Sequence, residues 1–417
     1  MHDVCSYSDI FDFLPMTGER LRLTVIVVSC FLFVAQVVTL WFGVPAAFRG
    51  RADFRYLYTM GSTVRANQLP HLDDYETNRR SKNESVNRND QPIVLNSSVY
   101  EALLFAPFSF LTYRAAYIAF VIANGALLAV SILILRPYLD KLGTIWPYLP
   151  AAVFVCFFPV AQALIEGQDS ILLLTLMVAS AVSFYRGRDV YAGVFLGLAL
   201  FKFQFTIPIA LLFLLWRRWR IVSGFAATTA AIASISLLLA GVTGLRASLY
   251  QLIRWNSPLT TGEISDRVPA LPTLRCLFHT LAGSIISRGW VDGVAIGCSI
   301  LLIAWAATRT ANFALAVLVA LLVSSHGVFA DAALLVIPVA MVLDARLGVS
   351  TDASRLWSRN IASLLFVAPL ICFLSGLSYC FVAILMLGLL MPLRFTSSDS
   401  VPRYPDIKEN LLMSGLT

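Results

Sequence analysis

The sequence predicts an all-α membrane protein whose helices cross the bilayer many times. Of the 417 residues, 58% are hydrophobic and only 13% are charged, and the mean hydropathy is +0.77. A water-soluble globule needs more polar surface than this composition supplies. Apolar runs near the roughly 20 residues that a helix needs to cross the hydrocarbon core recur along the whole chain. Helices are predicted rather than barrel strands, because strands would give shorter segments of alternating polarity.

The apolar runs predict about twelve spans, each bounded by basic or helix-breaking residues. They lie near residues 21–42, 113–135, 146–164, 169–185, 189–203, 204–216, 221–243, 290–308, 312–325, 331–344, 361–376 and 378–393. Lys202 and Pro208 interrupt an otherwise continuous run, so 189–216 is interpreted either as two short crossings or as a broken hairpin.

The distribution of basic residues in short loops predicts a cytoplasmic N-terminus. On one side the loops between spans carry Arg136, Lys141, Arg186, Arg188, Arg217, Arg218, Arg220, Arg309, Arg346, Arg355 and Arg359. The short loops of the other side, 166–169, 324–327 and 375–378, contain no Lys or Arg. Long segments translocate largely regardless of charge, so 43–112 and 244–289 are predicted on the outer face.

The predicted organisation is a cytoplasmic tail over residues 1–20, one transmembrane domain over 21–394 and a cytoplasmic tail over 395–417. The first tail is acidic and lacks a small-residue cleavage site, so the first span is expected to be a permanent anchor. The polar stretch 78–91 is predicted to be an insert in the first outer loop. The seven cysteines show no metal-ligand spacing and no disulfide framework.

The net charge of +7 does not indicate a nucleic-acid-binding protein, because the basic residues are distributed among membrane-flanking loops instead of forming one stripe. Polar groups at the predicted outer ends of the spans are more informative. They comprise Asp53, Tyr100–Glu101, Glu166–Asp169, Lys202 with Gln204, and Ser324–His326 with Asp331. Ionisable residues at such places are candidates for function, since an unpaired charge near lipid is costly. We therefore predict a polar pocket at the outer leaflet.

Several of these residues also have a purely structural interpretation. Asp53 could cap the helix that follows or pair with Arg51 or Arg55. Lys202 could extend its ammonium group to the lipid headgroups. Glu101 is expected either to touch a substrate or to pair with Arg114.

N-capping or stabilisation of the first turn through the helix dipole is the favoured role of Asp169 and Asp331, which begin predicted helices. His326 stands alone at an apolar helix end, where a structural hydrogen bond competes with a ligand-binding role. Gly193 and Gly197 are predicted to allow close helix packing.

The order and spacing of these motifs resemble a known family. They are Ala52-Asp53-Phe54, Tyr100, Leu103 to Pro107, Gly167-Gln168, Arg186-Gly187-Arg188, Ala192-Gly193, Gly197-Leu198-Ala199, Lys202, Trp216-Arg217-Arg218-Trp219, Ser324-Ser325-His326 and Asp331. Over roughly residues 45 to 345 the chain resembles the polyprenyl-phosphate-sugar-dependent transferases of glycosyltransferase family 87. The resemblance implies the C-type glycosyltransferase fold and a catalytic role for the transmembrane domain.

The resemblance also implies the reaction and its parts. A hexose, mannose by resemblance, would move with inversion from a polyprenyl phosphate to the hydroxyl of a lipid or glycan acceptor at the outer face of the membrane. Asp53 resembles the family's first-loop acid and would be the general base. Lys202, Gln168 and His326 would bind the phosphate or the sugar of the donor. Tyr100, Glu101 and Arg275 are further candidate substrate contacts.

The implied partners are membrane lipids, the lipid-linked sugar donor and a glycolipid or glycan acceptor, and the implied location is the cell membrane, as in a bacterial inner membrane. The sequence indicates no cofactor, and nothing in it indicates a divalent metal. One alternative is a secondary transporter or a flippase of lipid-linked sugars, because broken helices and buried charges also build transport sites. A second alternative is a non-catalytic scaffold for polysaccharide assembly.

Overall fold

The computed structural model describes residues 18–69, 83, 86, 98–256, 272–325, 327–347 and 353–390. Every regular element in these ranges is helical, as the sequence predicts. The predicted tail 395–417 lies outside the described residues, and so does the tail 1–20 apart from residues 18–20. The predicted polar insert lies outside them as well, apart from residues 83 and 86.

The helices are numbered here in chain order. They are α1 (Gly18–Phe48), α2 (Phe54–Arg65), α3 (Val99–Phe105), α4 (Tyr113–Leu135), α5 (Asp140–Ile145), α6 (Leu149–Val155), α7 (Phe158–Glu166), α8 (Ser170–Tyr185), α9 (Asp189–Leu198), α10 (Phe203–Leu215), α11 (Trp219–Asn256), α12 (Leu274–Ala282), α13 (Arg288–Ala307), α14 (Phe313–Val323), α15 (Val336–Arg346), α16 (Ala353–Ser375) and α17 (Cys380–Leu390). Short 3₁₀ segments occupy Ala106–Phe110, Arg136–Tyr138, Ala199–Lys202 and Phe329–Leu335.

Six helical segments in the described ranges are long and apolar enough to cross a membrane. They are Glu19–Phe48, Tyr113–Tyr138, Asp189–Leu215, Trp219–Arg246, Arg288–Ala307 and Leu356–Ser375. The pair α6 and α7, bent by 51°, would make a seventh if it forms one broken span. Others among the predicted spans form shorter apolar helices, including α8, α14 and α17. The chain is therefore a multi-pass helical protein, and the count of twelve spans is not confirmed.

The segment Asp189–Leu215 doubles back at Lys202, although its length would suffice for one crossing. Near its start, Ala192 accepts a hydrogen bond from the Ser180 hydroxyl at 2.8 Å. Near its end, the Phe213 ring lies 5.4 Å from the ring of Phe184. Ser180 and Phe184 are one helical turn apart in α8, so both ends of the segment lie at the same end of the bundle. These contacts show that the two halves of the segment run antiparallel, as both predicted arrangements require, and the choice between two short crossings and a broken hairpin stays a prediction.

Close packing of α9 against α11 depends on glycines. A Cβ atom on Gly193 would lie 2.0 Å from the carbonyl oxygen of Ile221, and one on Gly224 would lie 2.3 Å from that of Val190. A Cβ on Gly197 would lie 2.6 Å from the Thr228 side chain. The predicted packing role of Gly193 and Gly197 is confirmed.

The basic loops that were predicted on the inner side meet at one end of the bundle. Arg186 donates to the Tyr138 hydroxyl at 3.0 Å, and the Leu142 amide donates to Asp344 at 2.9 Å. Trp216 donates to the Ala306 carbonyl at 3.2 Å, which brings the loops around 217 and 309 together. This basic end lies opposite the tip of the α9–α10 hairpin. The side of the membrane that it faces stays a prediction.

Replacing Gly193 by Ala should destabilise the protein, because the new methyl group cannot fit against the backbone of α11. We expect a loss of about 1–3 kcal/mol, the usual cost of overpacking, seen as a lower midpoint of thermal unfolding in detergent. Gly125 is the matched control, since a Cβ there would meet nothing within 4 Å. An equal midpoint shift for Gly125→Ala and Gly193→Ala would contradict the packing role.

Candidate active site

Asp53 is fixed at the start of α2 by the aromatic residue that follows it. Phe54 is fully buried and stacks on Phe120 at a centroid distance of 5.2 Å. Its ring also contacts those of Tyr113 and Tyr117, each at 5.8 Å. A residue so deeply packed allows its neighbour Asp53 little freedom to move.

The Asp53 carboxylate is used neither as a helix cap nor in an ion pair. Asp53 occupies the N-cap position of α2, but its side chain makes no capping hydrogen bond. Within the described part of the chain, it forms no ion pair with Arg51 or Arg55. Both structural interpretations of Asp53 are therefore wrong for this structure. The carboxylate is partly exposed and accepts a hydrogen bond from another element.

The turn between α7 and α8 donates the hydrogen bond to Asp53. Gly167 ends α7 in the left-handed conformation, with φ of 59°, and a Cβ there would lie 2.8 Å from the Phe54 Cβ. Gly is thus required both by the turn and by the close approach of α2. Gln168 follows, and its Nε2 donates to Asp53 Oδ2 at 2.5 Å. Asn124 donates to the Gln168 carbonyl at 3.1 Å, which holds the turn from the other side.

A second carboxylate lies beside Asp53. Glu166 Oε2 accepts the backbone N–H of Asp53 at 3.2 Å, and Oε1 accepts from Gln162 at 3.3 Å. Glu166 belongs to the same predicted polar loop, for which the sequence indicates no separate role of this residue. Its position next to Gly167-Gln168 is the signal that could have identified it. The pair Asp53 and Glu166 forms the acidic part of the site.

Behind the turn lies a buried ion cluster, formed by Lys202 with Asp169 and Asp331. Lys202 Nζ is 2.9 Å from Asp169 Oδ1 and 3.3 Å from Asp331 Oδ1. The aspartate side chains are 1% and 2% exposed and the lysine side chain is 13% exposed. Ser170 donates a further hydrogen bond to Asp331 at 2.7 Å. Lys202 therefore does not extend to lipid headgroups, and whether it also binds phosphate stays a prediction.

The two aspartates differ in how they relate to helix ends. Asp169 holds the N-cap position of α8, yet it makes no capping hydrogen bond and is directed at Lys202, so the capping interpretation is wrong for it. Asp331 does accept the Val328 backbone N–H at 2.9 Å through its second oxygen, which confirms a local structural role. Asp331 thus joins the start of a 3₁₀ segment to the ion cluster.

Glu101 belongs to this cluster as well. Its side chain is buried, and it interacts electrostatically with Asp169, Lys202 and Asp331. Arg114 is exposed at the start of α4 and does not pair with Glu101, so that alternative is wrong. Burial raises the pKa of the Glu101 carboxyl well above its usual range, and the negative charge of Asp169 raises this pKa further. Glu101 consequently holds a proton at a higher pH than an exposed glutamate does.

The other predicted site residues have partners other than Asp53 or lie outside the described residues. The Tyr100 hydroxyl donates to the Leu198 carbonyl at 3.1 Å, which ties α3 to α9. Arg275 pairs with Asp292, with Nε 2.7 Å from Oδ1, and His279 Nε2 lies 2.9 Å from the same oxygen. Arg275 and Asp292 line a pocket with Ser324 and Ser325. His326 lies outside the described residues, so its predicted role is not tested.

No metal site is apparent in the described part of the chain, where no three His, Cys, Asp or Glu side chains come together in a suitable arrangement. The arrangement at Asp53 instead offers a partly exposed carboxylate, an amide that orients it and a neighbouring acid. A carboxylate of this kind can accept a proton from a hydroxyl group.

Fold and site together define a multi-pass membrane protein with a carboxylate centre at one end of its helical bundle. The model of glycosyltransferase family 87 matches residues 100–338, more than half of the chain. The chain belongs to glycosyltransferase family 87 and is therefore a transferase enzyme, which decides against the transporter and scaffold alternatives. No curated protein and no solved structure matches the chain. Asp53 precedes the matched range, so the match does not test its role.

Lys202→Met should destabilise the fold, because it leaves two buried aspartates without their cation. Breaking a buried ion pair by removing one partner costs about 3–5 kcal/mol. Adding Asp169→Asn should recover part of the loss in unfolding midpoint. Lys141→Met is the control, since Lys141 is exposed, donates to the Ala345 carbonyl at 3.4 Å and forms no ion pair within 4 Å among the described residues. A double variant no more stable than Lys202→Met would contradict the ionic role.

Glu101→Gln should remove a pH dependence of stability. With a raised folded-state pKa, the wild-type carboxyl contributes stability that is full below the ordinary glutamate pKa of about 4.3 and is lost as pH rises toward the folded-state pKa. The midpoint difference, Glu101→Gln minus wild type, should therefore grow with pH across that window and then level off. Thermal unfolding in detergent over about pH 4 to 8 measures it. A difference independent of pH would show that Glu101 is not protonated preferentially in the fold.

Proposed function

We propose that this enzyme transfers a hexose from a polyprenyl-phosphate donor to a hydroxyl group of a lipid or glycan acceptor. The observation that supports this proposal most is the state of Asp53: its carboxylate is partly exposed, free of any cap or ion pair among the described residues, and oriented by Gln168 at 2.5 Å. Family membership supplies the reaction class. The donor class, and mannose as the hexose, come from the resemblance of the motifs.

In the proposed reaction, Asp53 accepts the proton of the acceptor hydroxyl as the oxygen attacks the anomeric carbon. The new carbon–oxygen bond forms on the face opposite the phosphate, and the bond from that carbon to the phosphate oxygen breaks. The electron pair leaves with the polyprenyl phosphate, so the anomeric configuration is inverted. An alcohol is a weak nucleophile at neutral pH, and a positioned base typically contributes about 10²–10⁴-fold to the rate.

The leaving group needs electrostatic stabilisation but no general acid, because a lipid phosphate is already an anion of low basicity. Its developing charge would be balanced by a cationic or hydrogen-bonding group at the site. Lys202 and His326 were predicted for this role. In the structure, Gln168 is directed at Asp53, so we assign it the orientation of the base and contact with the sugar.

The site is proposed to open at the outer face of a cell membrane. The contacts that gather the basic loops at the opposite end support this orientation through the preference of Arg and Lys for the cytoplasmic side. We also propose about twelve crossings in a C-type glycosyltransferase bundle, in which the shorter helices α8, α14 and α17 cross beside longer neighbours. The acceptor would then be a glycolipid or glycan precursor presented in the outer leaflet.

Asp53→Asn should abolish transfer while leaving donor binding intact. The amide keeps the size of the side chain but cannot accept the proton, so the rate should fall by about 10²-fold or more. Transfer of radiolabelled sugar from a panel of polyprenyl-phosphate hexoses, with purified protein in nanodiscs of native lipids, measures it. Asp140→Asn at the basic end is the matched control.

Transfer at the wild-type rate by Asp53→Asn would contradict the assignment of the base. Glu166 and Glu101 would then be tested next, as the other carboxylates near the turn. Absence of transfer by the wild type from every donor of the panel would contradict the proposed donor class.

A further inference from the structure

Arg55, two residues after Asp53, has no ionic partner among the described residues. Its Nη2 donates to the Tyr56 hydroxyl at 2.9 Å, and its guanidinium lies 4.8 Å from the centre of the Tyr56 ring. Its Nε is buried and donates to no acceptor among the described residues. A buried donor left unpaired is costly, and guanidinium groups are usually satisfied by carboxylates or phosphates. The structure therefore leaves a charged donor available beside the proposed base.

Tyr113 provides a second unpaired donor in the same place. Its side chain is 6% exposed, and its hydroxyl is buried with no hydrogen-bond partner in the described structure. Two neighbouring tyrosines are satisfied: Tyr58 donates to the Leu111 carbonyl at 2.7 Å and Tyr117 to the Ile165 carbonyl at 2.6 Å. Among these three tyrosines, only the Tyr113 hydroxyl has no hydrogen-bond partner in the described structure, so it is available to a ligand.

The two unpaired donors are close to each other and to the acidic part of the site. The Tyr113 hydroxyl interacts electrostatically with Arg55, Glu166 and Asp53. Arg55 also interacts electrostatically with Glu166, although no nitrogen–oxygen distance between them qualifies as an ion pair. Arg55 and Tyr113 therefore converge near Asp53, and each has a donor, the Arg55 Nε and the Tyr113 hydroxyl, that no described residue accepts from.

The chemistry of these donors fits an anion with several acceptor oxygens. A guanidinium presents planar, charged N–H groups that match the oxygens of a phosphate, and a phenol hydroxyl adds one neutral hydrogen bond. A free inorganic anion would be repelled by the two carboxylates nearby. The phosphate of a sugar donor would instead be separated from the base by the anomeric carbon and the acceptor oxygen, because that oxygen attacks the face opposite the phosphate.

Lys202 is less suited to this role in the structure. Its ammonium is already shared by two buried aspartates at 2.9 and 3.3 Å, so its charge is neutralised where it stands. Recruiting it to a phosphate would leave those aspartates uncompensated. Arg55 has no such competing partner among the described residues.

We propose that Arg55 and Tyr113 form the binding site for the phosphate group of the lipid-linked donor. This inference rests on the proposed function, since it assigns the donor phosphate of that reaction to two residues. Arg55 holds the phosphate in the ground state and balances the charge that develops as the polyprenyl phosphate leaves. Tyr113 fixes the orientation of the phosphate from the α4 side.

Binding of polyprenyl phosphate, the product that carries the phosphate but no sugar, tests the proposal. The Asp53→Asn protein in nanodiscs serves as the parent, so that no turnover occurs. Arg55→Gln should weaken binding about 10- to 100-fold, as expected for the loss of a charged hydrogen bond. Tyr113→Phe, which preserves the packing of the ring, should weaken it about 2- to 10-fold. Arg51→Gln, at an exposed position nearby, should leave binding unchanged.

Polyprenol, which lacks the phosphate, separates recognition of the anion from general damage to the site. Both variants should bind polyprenol as the parent does. Unchanged binding of polyprenyl phosphate by Arg55→Gln, or an equal loss for polyprenol, would overturn the proposal. If Lys202→Met, and not Arg55→Gln, selectively weakened binding of polyprenyl phosphate, the phosphate site would be assigned to Lys202 and the proposal would be overturned. Wild type that transfers sugar from another donor class, with no affinity for polyprenyl phosphate, would overturn the proposed function together with this inference.

Discussion

The ionic contact between Lys202 and Asp169 is the constraint on which the geometry of the site depends. Asp169 directly follows Gln168 in the turn that begins at Gly167, so two adjacent side chains of this turn bind different parts of the protein. The Asp169 side chain lies 2.9 Å from the buried Lys202 ammonium, and the Gln168 side chain donates to the partly exposed Asp53 at 2.5 Å. The lysine comes from the tip of the α9–α10 hairpin. The position of the proposed base is thereby linked to the packing of helices far along the chain.

The division of polar residues into two groups has a physical reason. Charges inside a helical bundle are tolerated when they neutralise one another, as the lysine and its aspartates do. Groups that act on a substrate must instead remain available, and such groups are costly unless they lie at an accessible edge. Asp53 and Arg55 lie at that edge and are partly exposed, whereas Asp169 and Asp331 are almost completely buried. The buried group gives rigidity, and the accessible group gives the chemistry.

Much of the fold follows from properties that are local in the sequence. Apolar runs of helical length predict the helices, and small residues at helical spacing predict the contact of α9 with α11. The residues of the turn were recognised as one polar group, because Gly167, Gln168 and Asp169 are adjacent. Lys202 marks a break between two helices, because it interrupts an apolar run. Each of these signals lies within a few residues of the feature that it predicts.

Pairings between distant segments could not be predicted in this way. Asp169 resembled a helix cap, and only the approach of the hairpin shows that its partner is Lys202. Glu101 seemed close to Arg114 along the chain, yet the folding of α3 against α11 buries it beside the ion cluster instead. The sequence also does not reveal that the Arg55 Nε and the Tyr113 hydroxyl lack a partner among the described residues, since this depends on which carbonyl groups the neighbouring tyrosines reach. The span count is also beyond local patterns, because several apolar helices are shorter than a bilayer requires.

The most direct test of the account is a cryo-EM structure of the Asp53→Asn protein in nanodiscs with a bound polyprenyl-phosphate hexose. We expect the anomeric carbon on the side of residue 53, with room for an acceptor oxygen about 3–3.5 Å from that carbon. We also expect the phosphate to contact Arg55 on the opposite face of the sugar. A sugar bound in the pocket between Arg275 and Ser325, with residue 53 facing no part of the donor, would contradict the account.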